Sequence, residues 1–470
     1  MSTNQESHPP ENRRRTTATV LAWGVILLMT ALVIGAPRNG LDAEAEPETL
    51  DQVLFTLQAQ YLLGTAQLFQ DQQHAAIERT LEGWKATNDW QRKRLAVLAG
   101  EVQGPDAGLQ RLREVQAPAH EPGEESEEGS SVQILTRVFE DYSQDEWSAP
   151  SITPEERELL KSQLGWFGKL ALAPPGQESP LREQVIAEAR QTFFSIIAAV
   201  VAVGVVGILG LFVLLVFGAL LFSGKLSGMK VDRGYGEVYL ETFAVWLVLF
   251  LGLSVGTSLW LGSEALAAVG LISLGGSLLA LVWPRLRGVS WPRLREDMGW
   301  TTGRGLVREC LFGLGCYAMA IPLIFLAAIL TSIAVGIAGD PGGPGDMPVH
   351  PIANWLAGAT WSQVMQVIVL ACVVAPIVEE IMFRGLLYRH LREATDSPRG
   401  WPSVVFSALV ASVLFAVLHP QGLPAVPGIV GIALALACMR EWRTTLVPSI
   451  VAHAVNNGVI MLVLIALLTQ

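Results

Sequence analysis

Six residues in the last third of the chain have types and spacings that could hydrolyse a bond. Glu379, Glu380 and Arg384 lie in "VVAPIVEEIMFRGLLYRHL", His419 in "FAVLHP", and His453 and Asn457 in "HAVNN". All six fall in apolar stretches, where an ionisable side chain costs a few kcal/mol unless it has a partner or a task. Glu380 and Arg384 are four apart, share a helical face and can pair. Glu379 is turned from Glu380 by about 100° and can face a different neighbour. A structural ion pair needs one carboxylate, so the second is left for chemistry. A glutamate beside a histidine can activate a water as general base. A second histidine with an asparagine can hold charge developing on a carbonyl oxygen. One Glu with two His is also a ligand set of catalytic zinc. Each element alone has a plainer reading: a buried ion pair, a hydrogen-bonded histidine, polar glue between helices. Together, in order within about eighty residues, they are far more specific.

The helices that carry these residues must bring them to one level. Glu379 lies twenty residues before a turn near Arg399, and His419 twenty residues after it. At about 1.5 Å per residue both stand about 30 Å from that turn, so a straight hairpin sets His419 beside the glutamates. A last helix starting near Thr445 carries His453 and Asn457 on one face and reaches the same level within about two turns. Phe415, one turn before His419, reads as packing. His390, among arginines, reads as a surface residue.

Composition says what those helices are. The chain is 51% hydrophobic and only 16% charged, values that suit a multi-spanning membrane protein. Several apolar runs reach the roughly 20 residues that a bilayer span needs. The expected fold class is all-α, a polytopic membrane helix bundle of about nine spans with a helical extracytoplasmic insert. The first apolar run follows Arg13–Arg15 but is long and has no clear small-residue cleavage site, so it reads as a retained anchor. The net charge of −11 is concentrated between the first two spans, where acidic residues exceed basic ones by about thirteen. That pattern reads as an acidic, water-exposed domain. The four cysteines all fall in apolar segments and form no CxxC pair, which leaves the insert without a disulfide framework. No nucleic-acid partner is expected.

The organisation follows. Residues 1–15 form a polar tail, 16–36 a transmembrane anchor, and 37–190 the soluble acidic insert, mostly helical. In the insert "EPGEESEEGS" serves as a linker between helical segments. Residues 191–308 form transmembrane helices with basic loops, and 309–470 the part that holds the six residues. Arg13–Arg15, Lys225, Lys230, the six arginines from Arg285 to Arg308, Arg389, Arg392, Arg399, Arg440 and Arg443 all fall on one side if the chain spans nine times. Positive charge marks that side as cytoplasmic, with the N-terminus on it and the insert and "DPGGPGDMPVHP" outside.

The motifs also carry a family resemblance. "EEIMFR" matches E-E-x-x-x-R, "FAVLH" matches F-x-x-x-H and "HAVNN" matches H-x-x-x-N, in this order on successive helices. The chain thus resembles, over roughly residues 310–468, the CPBP intramembrane proteases, which include type II CAAX prenyl endopeptidases and bacterial Abi proteins. The resemblance implies an endopeptidase acting on a membrane-bound protein or peptide, in a cell membrane and, by its bacterial relatives, a bacterial inner membrane. It implies Glu379 as catalytic base acting with His419, Glu380 with Arg384 as the supporting pair, and His453 with Asn457 as oxyanion stabilisers. The family has been read both as cofactor-free and as zinc-dependent; in the second reading Glu379, His419 and His453 would be the ligands. The N-terminal region departs from the family's minimal pattern, and 37–190 could engage an extracytoplasmic partner. Two other readings remain: a non-catalytic scaffold or peptide-binding immunity protein of the same fold, and a transporter relaying protons. The second lacks a visible inverted repeat.

Overall fold

The computed structural model describes residues 11–35, 49–69, 74–116 apart from 85 and 87, 127–144, 150–338 apart from 227, 230, 232, 233, 263 and 264, 356, and 359–468 apart from 397–399 and 422–424. The tail before residue 11, the acidic linker over 121–126 and the loop over 340–351 lie outside the described residues. Among those described the chain is all-helical, and it divides into two compact units. The first helix, α1 (Glu11–Gly35), belongs to the unit that holds most of the chain.

The smaller unit is built on residues 47–202. It contains α2 (Thr49–Leu68), α3 (His74–Gly83), α4 (Asp89–Gln103), α5 (Pro105–Gln116), α6 (Glu127–Gln144), α7 (Pro154–Leu164), α8 (Trp166–Ala171) and the first half of α9 (Pro180–Phe222). Local chemistry starts these helices. Asn88 caps α4, and Thr153 with Glu156 forms a reciprocal capping box on α7, with Pro154 in the first turn. Their apolar faces meet in a core that includes Phe55, Leu63, Leu98, Phe139, Phe167 and Val185. Arg182 closes it with a two-pronged bond to Glu101 at 2.8 and 2.6 Å.

The other unit is the membrane bundle. Its helices are α1, the second half of α9, α10 (Gly236–Leu261), α11 (Leu266–Leu286), α12 (Trp291–Met298), α13 (Leu306–Cys316, continued by Ala320–Ala338), α14 (Trp361–Ala394), α15 (Trp401–Val417), α16 (Val426–Arg443) and α17 (Val447–Leu468). Seven of the described helices are long and apolar enough to cross a bilayer. Of the nine expected, α15 is apolar but shorter, and α16 ends in Arg440–Glu441–Trp442–Arg443. Outward positions such as Leu209, Phe212 and Leu462 carry bare hydrocarbon, as lipid contact requires. Small residues let backbones approach: a Cβ on Gly313 of α13 would lie 2.5 Å from the Pro448 carbonyl of α17.

Several of the described charges read as a topological signal turn out to be paired. Asp297 accepts from Tyr239, Arg293 and Arg389; Glu309 takes a fork from Arg443 at 2.8 and 2.6 Å; Glu441 accepts from Tyr388 and Arg392. These bonds tie α10, α12, α13, α14 and α16 together at one end of the bundle. His390 belongs to the same end but is buried rather than at the surface, with Nδ1 2.8 Å from the Gly236 carbonyl and its ring against Trp23. Its neighbouring arginines are themselves buried, which the run of charges in the sequence does not reveal.

Candidate active site

α14 is not a uniform helix. Its central turn and a half, Ala375–Glu380, is α-helical, while Leu370–Val374 before it and Ile381–Leu387 after it are π-helical. Wide turns of this kind admit an extra residue, shift the faces that follow and concentrate at functional sites. Between them stand Glu379 and Glu380, turned toward different neighbours.

Glu380 and Arg384 are completely buried and pair at 2.9 Å. Arg384 also donates to the Ala433 carbonyl at 3.0 Å and stacks its guanidinium 4.5 Å from the centre of the Phe415 ring. Glu380 has a second task that the sequence does not announce. The same Oε1 that binds Arg384 accepts from His453 Nδ1 at 3.0 Å. The supporting pair is therefore a triad that also orients an imidazole.

Glu379 is turned into the space beside the two histidines. Its Oε2 is 3.8 Å from His419 Nε2 and 3.7 Å from His453 Nε2, and accepts no hydrogen bond among the described residues. His419 follows the end of α15 and is held by its Nδ1, 2.7 Å from the Phe415 carbonyl. Phe415 packs under both rings, 4.2 Å from His419 and 5.7 Å from His453, so its packing role positions the chemistry. The hairpin estimate thus brings His419 to Glu379 as expected. Asn457 is differently engaged: its Nδ2 donates to the Ala371 carbonyl at 2.8 Å, and its Oδ1 accepts from Asn456.

Hydrogen-bond logic fixes the proton positions. The Phe415 carbonyl and the ionised Glu380 carboxylate only accept, so each Nδ1 must carry the hydrogen. Neutral rings then present Nε2 lone pairs. Two lone pairs and one carboxylate oxygen converge with no donor among them. Such a set attracts a water molecule, a proton or a cation. Histidines tied through Nδ1 to carbonyl and carboxylate are also how zinc ligands are oriented. The donor set has the chemistry zinc takes, although no three His, Cys, Asp or Glu side chains among the described residues stand close enough to share an ion as placed.

A cavity of about 110 Å³ opens beside this group, lined by Glu379, His419, Leu418, Trp246, Phe250 and Val33. Its walls are aromatic and aliphatic, and the sequence does not mark two of the contributing helices as site elements. Val33 belongs to α1, and Trp246 and Phe250 to α10. The anchor helix packs into the bundle through buried Ala22, Ile26 and Thr30, four apart on one face.

Comparison with known proteins bears on this part of the chain. Residues 361–459 match the family described as type II CAAX prenyl endopeptidase Rce1-like. The similarity to that family lies within this stretch, about a fifth of the chain. The match spans α14 to α17 up to Val459 and takes in all three motifs, as the resemblance to CPBP proteases predicted. No curated protein and no solved structure matches the chain. α1, α10 and the unit on 47–202 lie outside the Rce1-like region, although α1 and α10 wall the cavity beside its glutamate.

Proposed function

We propose that the chain is a membrane endopeptidase that hydrolyses a peptide bond of a membrane-associated, CAAX-like protein or peptide. The observation that carries this reading is the single oxygen of Glu379, unbonded among the described residues and nearly equidistant from two imidazole Nε2 atoms. A water placed among these three acceptors can donate one hydrogen to Glu379 and one to His419. Glu379 takes the first proton as the water oxygen attacks the scissile carbonyl. His453, the third acceptor, takes up a proton from solvent at Nε2 before the attack, its Nδ1–H held by Glu380, and offers that hydrogen to the oxygen that becomes negative. When the C–N bond breaks, the proton held by Glu379 passes to the leaving amine. If zinc is bound, Glu379, His419 and His453 would hold it and it would supply Lewis-acid polarisation of the carbonyl. The apolar walls exclude competing water and suit a hydrophobic residue or lipid chain next to the cleaved bond.

The test is cleavage by purified full-length protein in liposomes, with farnesylated and unmodified CAAX peptides, with and without a chelator, alongside metal analysis. Turnover that survives chelation of metal-free protein supports water activation by glutamate alone. Turnover lost on chelation and restored by zinc supports the metal form. Peptide that binds but is never cut would overturn the enzymatic reading and favour a scaffold of the same fold.

The cavity wall gives a separate prediction. Val33→Trp should fill the space beside Glu379 and raise KM about tenfold, the scale of roughly 1.4 kcal/mol in binding. Unchanged kinetics would return α1 to the role of a simple anchor.

A further inference from the structure

The amide of Asn457 has a use that follows from the turn geometry of α14. In the first π segment the Ala375 N–H donates to the Leu370 carbonyl, five residues back. The next donor in that register would be residue 376, which would serve the Ala371 carbonyl. Residue 376 is a proline and has no N–H. The carbonyl left over is the one that Asn457 Nδ2 reaches at 2.8 Å. The amide cannot be turned the other way, because a carbonyl only accepts. A relay holds it there: Tyr317 donates to Asn456 Oδ1, and Asn456 Nδ2 donates to Asn457 Oδ1.

We propose that Asn457 is a positioning residue that supplies the hydrogen bond Pro376 lacks, and so fixes the rotational phase of the helix turn bearing Glu379. This rests on the reading of Glu379 as catalytic base. The extra residue of a π turn advances everything after it by about 100° relative to a regular helix. Glu379 is three residues beyond Pro376, and in the wrong phase it would leave His419 and His453. The same face of α17 thus grips α14 twice, through His453 on Glu380 and Asn457 on Ala371. The resemblance alone makes Asn457 an oxyanion donor; the geometry gives one of the two N–H groups of its amide to the helix backbone.

The proline makes the two roles separable. Pro376→Ala returns an N–H to position 376, so the Ala371 carbonyl no longer depends on Asn457. The experiment compares wild type, Asn457→Ala, Pro376→Ala and the double variant, as full-length protein in liposomes, by CAAX-peptide turnover and by thermal unfolding in detergent. Asn457→Ala should lower kcat at least tenfold with KM within threefold, and lower the unfolding midpoint. The double variant should recover both to within threefold and a few degrees of Pro376→Ala. A double variant as slow as Asn457→Ala, beside an active Pro376→Ala, would place Asn457 at the reacting atoms and overturn the proposal. Independent effects of the two substitutions on the midpoint would overturn it as well. If no variant cleaves, wild type included, the enzymatic reading fails while the coupling in unfolding midpoint still decides whether Asn457 serves Pro376.

Discussion

Glu379→Gln should reduce turnover by about 10²–10⁴-fold, the range of a lost general base, and leave the protein folded. The reason for expecting a clean separation is that Glu379 does nothing structural. Its Oε2 accepts no hydrogen bond among the described residues, its side chain is 18% exposed, and Arg384 is held by Glu380 instead. Glutamine keeps the shape and removes the basic oxygen. The unfolding midpoint should stay within a few degrees of wild type or rise, since a charge facing two lone pairs is withdrawn. The two enzymatic routes diverge in the same variant: zinc bound by wild type would be lost from Glu379→Gln, whereas metal-free protein would show no change in content. Wild-type turnover in Glu379→Gln would remove Glu379 from the reaction and with it the proposed mechanism.

How much of this was legible depends on the range of each interaction. Pairings within a helix follow from spacing, so Glu380 with Arg384 could be read directly. Heights follow from the rise per residue, so a turn near Arg399 sufficed to set His419 against Glu379. The Rce1-like match covers the same stretch. What spacing cannot give is the phase of a helix that changes its winding. The regular-helix picture of "VVAPIVEEIMFR" omits both π segments, and Pro376 is the one residue in it that could have flagged a missing donor. Contacts between distant segments were also hidden. Nothing about Val33 or Trp246 distinguishes them from any lipid-facing residue until the bundle closes around the cavity. Charge carried the topology argument but not the fact that Asp297, Glu309 and Glu441 neutralise much of the basic end. The double task of Glu380 was hidden for the same reason: its second partner is 73 residues away.

That double task makes Arg384 the most sensitive structural position near the site. Arg384→Ala leaves Glu380 fully buried with its principal counter-charge removed, a situation that destabilises proteins by about 3–5 kcal/mol. It also deletes the bond to the Ala433 carbonyl that ties α14 to α16, and the stack on Phe415 that supports both imidazoles. Arg384→Lys should rescue only part of the loss, because an ammonium cannot hold Glu380 and the carbonyl in one plane and stack at the same time. Replacing both partners by similar apolar or amide groups, as in Glu380→Gln with Arg384→Met, should restore much of the stability, since no unpaired charge is then buried. It should not restore turnover, because the neutral amide introduced by Glu380→Gln cannot stabilise a protonated His453. A large fall in unfolding midpoint for Arg384→Ala, partial recovery in the double variant and inactivity in both is the expected pattern. An Arg384→Ala protein that melts like wild type would mean that Glu380 is neutral in the folded bundle, and the imidazolium assigned to His453 would lose its support.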